Sequence, residues 1–531
     1  DASALCAEAS GRRRPVEPAG DQARELTATG LAGAGRSFRR RRRSHVFSCS
    51  SVDQPDTAVS RGCSCCRGEL QSLTRRINAD LSRRGFVAGI GASIAALGLP
   101  RMARAQNAPD PTQPIIFTNF RLFDGKSNAL RGGLALIVEA GRIKAVATGN
   151  PAGPEGARTI DCGGRVVMPG LIDAHWHCMF AALSIPTLFA ADVGYIFLAA
   201  SAEAERTLMR GFTTVRDLGG PSFALKQAID EGLVPGPRIY PCGAMITTTG
   251  GHGDMRPLSD LPRSPGGPVS AMERTGAANI ADSADEVRLR VREQLLEGAS
   301  QIKLVGGGGV SSPRTTLDML TFSEPELRAG VEAAADRNTY VAVHAYPPVA
   351  IQRALAAGVQ CIEHGHLMDE ATAKLMADKG VWLSIQPFVG EEDTVPLSGQ
   401  SQINFTQVIA GTNTAYPLAK ASNLKTAFGS DLLFSAQKTI RQGIMLTHLT
   451  RWYENAEVLK MATATNGELL ALSGPRNPYP GKLGVLEEGA LADLLVVDGD
   501  PVANIKLIEN PEKNFLIIMK DGKIFKDTLH S

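Results

Sequence analysis

The sequence predicts an α/β protein: a (β/α)8 (TIM) barrel carrying a small β-sandwich domain built from both of its flanks. Three observations lead there. Residues 170–475 alternate short apolar strands with helical patterns, turn-punctuated β-rich runs precede and follow that stretch, and His and Asp residues fall at the C-terminal ends of several predicted strands. A chain of 531 residues, 43% hydrophobic and 21% charged, has ample material for a large core and is too apolar for wholesale disorder. No uncharged apolar run reaches the roughly 20 residues that cross a bilayer, so stable membrane insertion is not expected.

The elements follow in chain order. Residues 1–80 carry 14 Arg, no Lys and 9 acidic residues, with a run from Arg39 to Arg43 and much Ser, Gly and Ala. They read as a disordered or spuriously translated upstream extension. A zinc knuckle from Cys49, Cys63, Cys65 and Cys66 is the alternative, but the paired C-x-x-C units are missing. Residues 81–105 read as a twin-arginine signal peptide: Arg83-Arg84 is followed by an uncharged stretch through Pro100 and then by Ala103-Arg104-Ala105. A buried helix beside a basic loop is the alternative. The expected destination is the bacterial periplasm or the exterior, with the mature protein starting near Gln106. That export route carries folded proteins, so a metal can be inserted before transport.

The net charge of +2 hides a polarity, because the 426 residues after Ala105 hold 38 basic and 45 acidic side chains. An acidic body lacks the basic footprint of a nucleic-acid-binding domain. Its four cysteines, Cys162, Cys178, Cys242 and Cys361, are scattered and are expected to be buried free thiols. Residues 106–169 form the N-terminal part of the small domain, with strands at 115–118, 134–138 and 142–146 and turns at Asp124-Gly125 and Gly163-Gly164. Within the barrel, strands are predicted at 213–215, 238–240, 301–305, 341–343, 360–362, 382–385 and 425–428. Residues 476–531 complete the small domain with strands at 492–498 and 515–519, the latter turning at Asp521-Gly522.

Eight of the nine histidines lie beyond residue 105, and their positions point to chemistry. His175 and His177 form an H-x-H pair, and side chains two apart on a strand share a face, so both can reach one ion. His344, His364 and Asp431 each end a predicted strand. Strand C-termini of one barrel converge on one mouth, where barrel enzymes keep their chemistry. Lys303 interrupts the apolar strand Ile302-Lys303-Leu304-Val305. It reads either as a lysine snorkelling to the barrel rim or as a buried, neutralised amine that becomes carboxylated and bridges two ions.

These residues, with the segment Met168-Pro169-Gly170-Leu171-Ile172-Asp173-Ala174-His175-Trp176-His177, resemble the amidohydrolase superfamily. The likeness runs over residues 114–528 and is greatest to the imidazolonepropionase-related branch of binuclear Xaa-Pro dipeptidases, Xaa-Arg/Lys carboxypeptidases and ochratoxin-hydrolysing amidases. The resemblance implies two divalent ions, zinc by preference. His175, His177 and Asp431 would hold the first, His344 and His364 the second, and N6-carboxylated Lys303 would bridge them. It also implies that His252 and Tyr346 hold a substrate carboxylate, and it suggests a homo-oligomer, with an octamer as the form.

Read without that resemblance, His252 in the Gly-rich loop 249–256 is a surface residue, Tyr346 is rim packing and Arg256 is solvated. His366, two residues past His364, is expected to support the metal ligands from behind, with competition as a ligand the alternative; Glu363 and Arg216-Asp217 either orient the ligands or close ion pairs at the strand ends, the pair being read as structural. His448 is expected to be a helix or core histidine. The expected function is hydrolysis of an amide next to a free carboxylate, in a small-molecule or dipeptide substrate, through a metal-bridging hydroxide, with Asp431 moving the proton. The rivals are an ochratoxin-type N-acyl aromatic amino acid amidase, a mononuclear cyclic-amide hydrolase or deaminase, and a non-catalytic binding scaffold. The loops 255–277 and 390–407, where substrate selectivity should reside, carry no readable code.

Overall fold

The computed structural model describes residues 113–149, 151–261, 267–312 and 314–529. The upstream extension, the signal peptide at 81–105, the Cys49 to Cys66 cluster and His530 lie outside the described residues. In chain order the strands are β1 (Ile115–Leu122), β2 (Arg131–Glu139), β3 (Arg142–Thr148) and β4 (Arg158–Pro169). Next come β5 (Leu171–Trp176), β6 (Phe212–Asp217), β7 (Arg238–Tyr240), β8 (Met245–Thr247) and β9 (Ala278–Ile280). They are followed by β10 (Ile302–Val305), β11 (Val341–Ala345), β12 (Cys361–His364), β13 (Trp382–Ile385) and β14 (Thr426–Phe428). The chain closes with β15 (Leu494–Val497), β16 (Phe515–Lys520) and β17 (Lys523–Asp527).

Strands from both flanks lie in one sheet, in the order β17-β16-β15-β4-β1-β2-β3. It is hydrogen-bonded as one continuous seven-stranded sheet, where the sequence led us to expect a sandwich of two. The reason sits in β4. Gly163 and Gly164, read from the sequence as a turn, lie inside this strand with φ of 60° and 79°. They form a bulge against β1, whose register jumps from Thr118↔Asp161 to Phe120↔Arg165, and a bulge bends a strand without ending it.

Alternation then divides the residues of this sheet between two cores. Leu494, Val496, Ile517 and Met519 pack inside the small domain, while Leu495, Val497, Phe515 and Ile518 pack into the barrel. Burial on both faces explains why β15 and β16 read as unbroken apolar runs.

The remaining strands are parallel, in the order β5-β6-β7 in one sheet and β14-β13-β12-β11-β10-β8-β9 in the other. Ser300 N–H donates to the Pro241 carbonyl at 2.7 Å between the end of β7 and the start of β10. Asn466 donates to the carbonyls of Ile172 on β5 and Phe428 on β14, at 2.7 and 2.8 Å. Residues 284–297, 324–335, 348–357 and 370–378 form helices between the strands. Leu304, Val343, Ile362 and Leu383 pack into the layer shared with these helices, whereas Ala342 and Cys361 join Ile172, Ala174 and Ala427 in a separate interior cluster. Strands β8 and β9 were not anticipated; they set off the loop 249–277 from the rest of the barrel. The four cysteines of the body are free and buried, as expected. No helix among the described residues is long and apolar enough to cross a membrane.

Candidate metal centre

His175, His177, His252, Lys303, His344, Tyr346, His364 and Asp431 line one cavity of about 300 Å³. Chain order separates them by up to 256 residues; strand ends bring them together. Lys303 sits between Ile302 and Leu304, both of which face the helices, so alternation turns it into the mouth. The same alternation, with Cys361 in the interior cluster, turns Glu363 inward and would turn His364 away. His364 instead reaches the cavity because its backbone is left-handed, with φ of 73°. Asp431 is left-handed too, at 50°. Such conformations cost about 1–3 kcal/mol each and collect at functional sites.

Each of the four clustered imidazoles has one ring nitrogen against an oxygen acceptor. His175 Nδ1 lies 2.8 Å from Glu363 Oε2, and His177 Nδ1 lies 3.3 Å from the Gly219 carbonyl. His344 Nε2 lies 2.8 Å from the Gly308 carbonyl, and His364 Nδ1 lies 2.7 Å from Gln386 Oε1. An acceptor fixes the proton on the nitrogen it faces, which leaves the other nitrogen of each ring as a lone pair. Burial first, and then cationic neighbours including Lys303 or other histidines, hold His175, His344 and His364 well below the usual imidazole range, so these rings are neutral near pH 7.

Asp431 Oδ1 lies 3.3 Å from His177 Nε2 and 3.5 Å from His175 Nε2. It is buried and has no hydrogen-bond partner. Two lone pairs and a carboxylate oxygen thus face one another with no proton between them, an arrangement that suits a cation. Ligand atoms of His175, His364 and Asp431 all fall within 4.8 Å of one another, so the donor set fits a divalent metal. Burial lowers the pKa of Lys303, against the opposing pull of Glu363 and Asp431.

Beneath the cluster Arg216 and Glu363, both fully buried, form an ion pair at 2.6 Å. Arg216 Nε also donates to the Ala174 carbonyl. Arg216 thus pairs with Glu363 and not with Asp217 as the sequence suggested, and Glu363 also lies against His175, the orienting role that was one of its two readings. Asp217 is engaged separately and accepts from Cys178 N–H at 2.7 Å. Gln386, which escaped the sequence reading, contacts both His364 and His175. Its position one residue past β13 is the same kind of signal that singled out the candidate ligands.

His366 does not line the cavity; its Nε2 lies 2.8 Å from the Gln386 carbonyl and its ring lies 6.3 Å from that of His364. His252 is no surface residue: its ring stacks 4.5 Å from His344, and burial pushes its pKa down to about 3. Tyr346 stacks 5.0 Å from His364, and burial raises its phenol, which therefore stays protonated. Two neutral hydrogen-bond donors thus face the cavity. Arg256, expected in solvent, is 3% exposed and pairs with Asp254 at 2.7 Å, because the loop folds back on itself. His448 sits part-buried at the end of the helix Gln442–His448.

The chain is similar to several characterised proteins. Ochratoxinase of Aspergillus niger is 30% identical over 391 residues, covering 68% of this chain and 76% of that one. A crystal structure of an amidohydrolase superposes with a TM-score of 0.72 at 36% identity, covering 78% of this chain and 99% of the other. A prolidase crystallised with N-methylphosphonate-L-proline gives a TM-score of 0.72 at 34% identity, covering 78% and 100%. These neighbours carry the barrel with its additional domain. A match to the amidohydrolase family spans residues 166–525, from the strand that joins the two cores through the whole histidine cluster and back into the small sheet. By that match the chain belongs to the amidohydrolase family.

Proposed function

We propose that this hydrolase cleaves an amide bond adjacent to a free carboxylate, as a dipeptidase, carboxypeptidase or N-acyl amino acid amidase. One observation carries the reading: a cluster of four imidazoles in which Nε2 of His175 and of His177 converge on the unpartnered Oδ1 of Asp431. His175, His177 and Asp431 would hold one zinc ion and His344 and His364 a second. Lys303 would be carboxylated on Nζ and lie between them; its lowered pKa favours the neutral amine that such a reaction needs. Bound metal supplies Lewis acidity toward the scissile carbonyl and lowers the pKa of water.

The chain's own groups supply the rest. Asp431 takes a proton from the attacking water and returns it to the departing amine nitrogen. His252, part-buried, and Tyr346, buried, both neutral, donate to the substrate carboxylate. Glu363 and Gln386 keep the His175 and His364 rings from turning. The relatives' names, ochratoxinase and prolidase, support this class because each substrate places a carboxylate on the amine side of the bond.

The test is a zinc-loaded enzyme offered matched pairs, each acyl-amino acid beside its decarboxylated amide. Hydrolysis confined to the carboxylate member is expected, with two zinc ions per chain. Equal cleavage of both members removes the carboxylate requirement, and one ion per chain with activity on cyclic amides or amino-heterocycles transfers the assignment to the mononuclear class.

A further inference from the structure

The cavity has a second property, unconnected with the metal. We propose that the substrate carries its one charge on the carboxylate and is otherwise bulky, uncharged and apolar on both sides of the scissile amide. This rests on the amide-hydrolase reading and narrows it.

Two apolar walls flank the histidines. The first comes from the segment after β5, with Met179, Phe180, Leu188, Phe189 and Phe197 lining the cavity. The Phe180 ring stacks 6.0 Å from His177 and thus abuts the metal-binding side. Phe434 anchors this wall by donating its N–H to the Phe180 carbonyl at 3.0 Å. The second wall is Phe388, Leu397 and Phe405. Phe388 packs 5.4 Å from Phe405 and 6.1 Å from His366, which lies 5.7 Å from Tyr346, so this wall stands beside the proposed carboxylate donors.

Among the described residues that line the cavity, the charged ones are Lys303 and Asp431, and both belong to the metal centre. No carboxylate is left to pair with the side chain of a leaving Lys or Arg, or with the free ammonium of an unblocked dipeptide. An unpaired cation buried there is strongly disfavoured. The apolar lining continues outward to the entrance, where Phe189 and Val193 are 56% and 50% exposed, so a group too large for the cavity floor still meets apolar surface. Met179, Met245, Met255 and Met272, all lining, can adapt to irregular ring systems.

The experiment varies one side at a time. With zinc-loaded enzyme, kcat/KM is measured for N-acetyl- and N-benzoyl-L-phenylalanine, for N-benzoyl derivatives of Gly and Lys, and for the unblocked dipeptide Phe-Phe. Burying one ring should raise kcat/KM about 10- to 100-fold, from acetyl to benzoyl and again from Gly to Phe. The Lys and unblocked members should fall at least about tenfold below N-benzoyl-L-phenylalanine. Phe405→Ala should shrink the ratio of Phe to Gly.

Equal or faster cleavage of the Gly, Lys or unblocked member overturns the apolar-substrate inference and leaves amide hydrolysis standing. If no member is cleaved, binding of N-benzenesulfonyl-L-phenylalanine is compared with that of its lysine counterpart. A tenfold preference for the former sustains the cavity inference while the hydrolytic reading falls, and equal binding overturns both.

Discussion

Two clusters of buried polar and charged groups in this molecule are arranged in opposite ways. At the junction of barrel and small sheet, Arg238 on β7 pairs with Asp493 at 2.9 Å and Asp521 at 2.8 Å, and its guanidinium lies 5.1 Å from the centre of the Tyr479 ring. Asp493 Oδ1 accepts in addition from Asp521 N–H. Positive and negative groups answer each other there, and the result is a fastening. At the barrel mouth the histidines and Asp431 Oδ1 present acceptors to one another, and that oxygen has no partner of its own. The difference separates two uses of polar burial: a complete set holds the fold, and an incomplete one awaits a ligand.

Four substitutions test that distinction, in falling order of expected effect. Asp431→Asn should cut kcat about 10²- to 10⁴-fold with zinc content near native and little change in Tm; a variant of near-native turnover removes the proton-transfer role. Arg238→Ala should do the converse. It strands the buried Asp493 carboxylate and should cost about 3–5 kcal/mol in denaturant unfolding, with the activity of the folded fraction unchanged.

Glu363→Gln probes the seam between the two uses, because its carboxylate serves both Arg216 and His175. We expect about 10- to 100-fold weaker zinc retention in a chelator competition. Lys520→Met, the mildest, acts at the fastening. Burial and Arg238 push Lys520 down to about 8 from its ordinary 10.5. The unfolded chain therefore binds the extra proton between those values, so stability attributable to this group rises with pH across that window. The variant should be more stable than the parent by about 1–3 kcal/mol below pH 8, with the difference closing as pH approaches 10.5. A gap that stays constant with pH would mean that Lys520 carries no buried-charge penalty.

The residues gathered at the cavity were legible in the sequence because they lie at or just beyond strand ends. His344 is the next-to-last residue of β11, His364 the last of β12 and Asp431 three past β14, so finding the strands was enough to find them. The strands themselves were visible where short, largely apolar runs met turn residues, as at 382–385 after Gly380. What stayed hidden depends on contacts made across the chain. Three-residue β8 and β9 have too little pattern to announce themselves. Gly163-Gly164 looks like a turn until β1 pairs on both sides of it. The partnership of Arg238 with Asp493 spans 255 residues, and no local signal foretells it. The apolar walls were hidden for another reason: Phe180, Phe388 and Phe405 look like any core residue until the fold shows which of them border empty space.

The sharing of β15 and β16 between two interiors bears on how the protein is made. Val167 and Met168 of β4 pair with Val496 and Leu495, so a nascent chain halted before Leu494 leaves this inner edge uncovered on the barrel it has otherwise assembled. Synthesis must run through Met519 before either interior is sealed, and until then the ribosome carries a large half-clad body with an open strand edge, the kind of surface that chaperones attend.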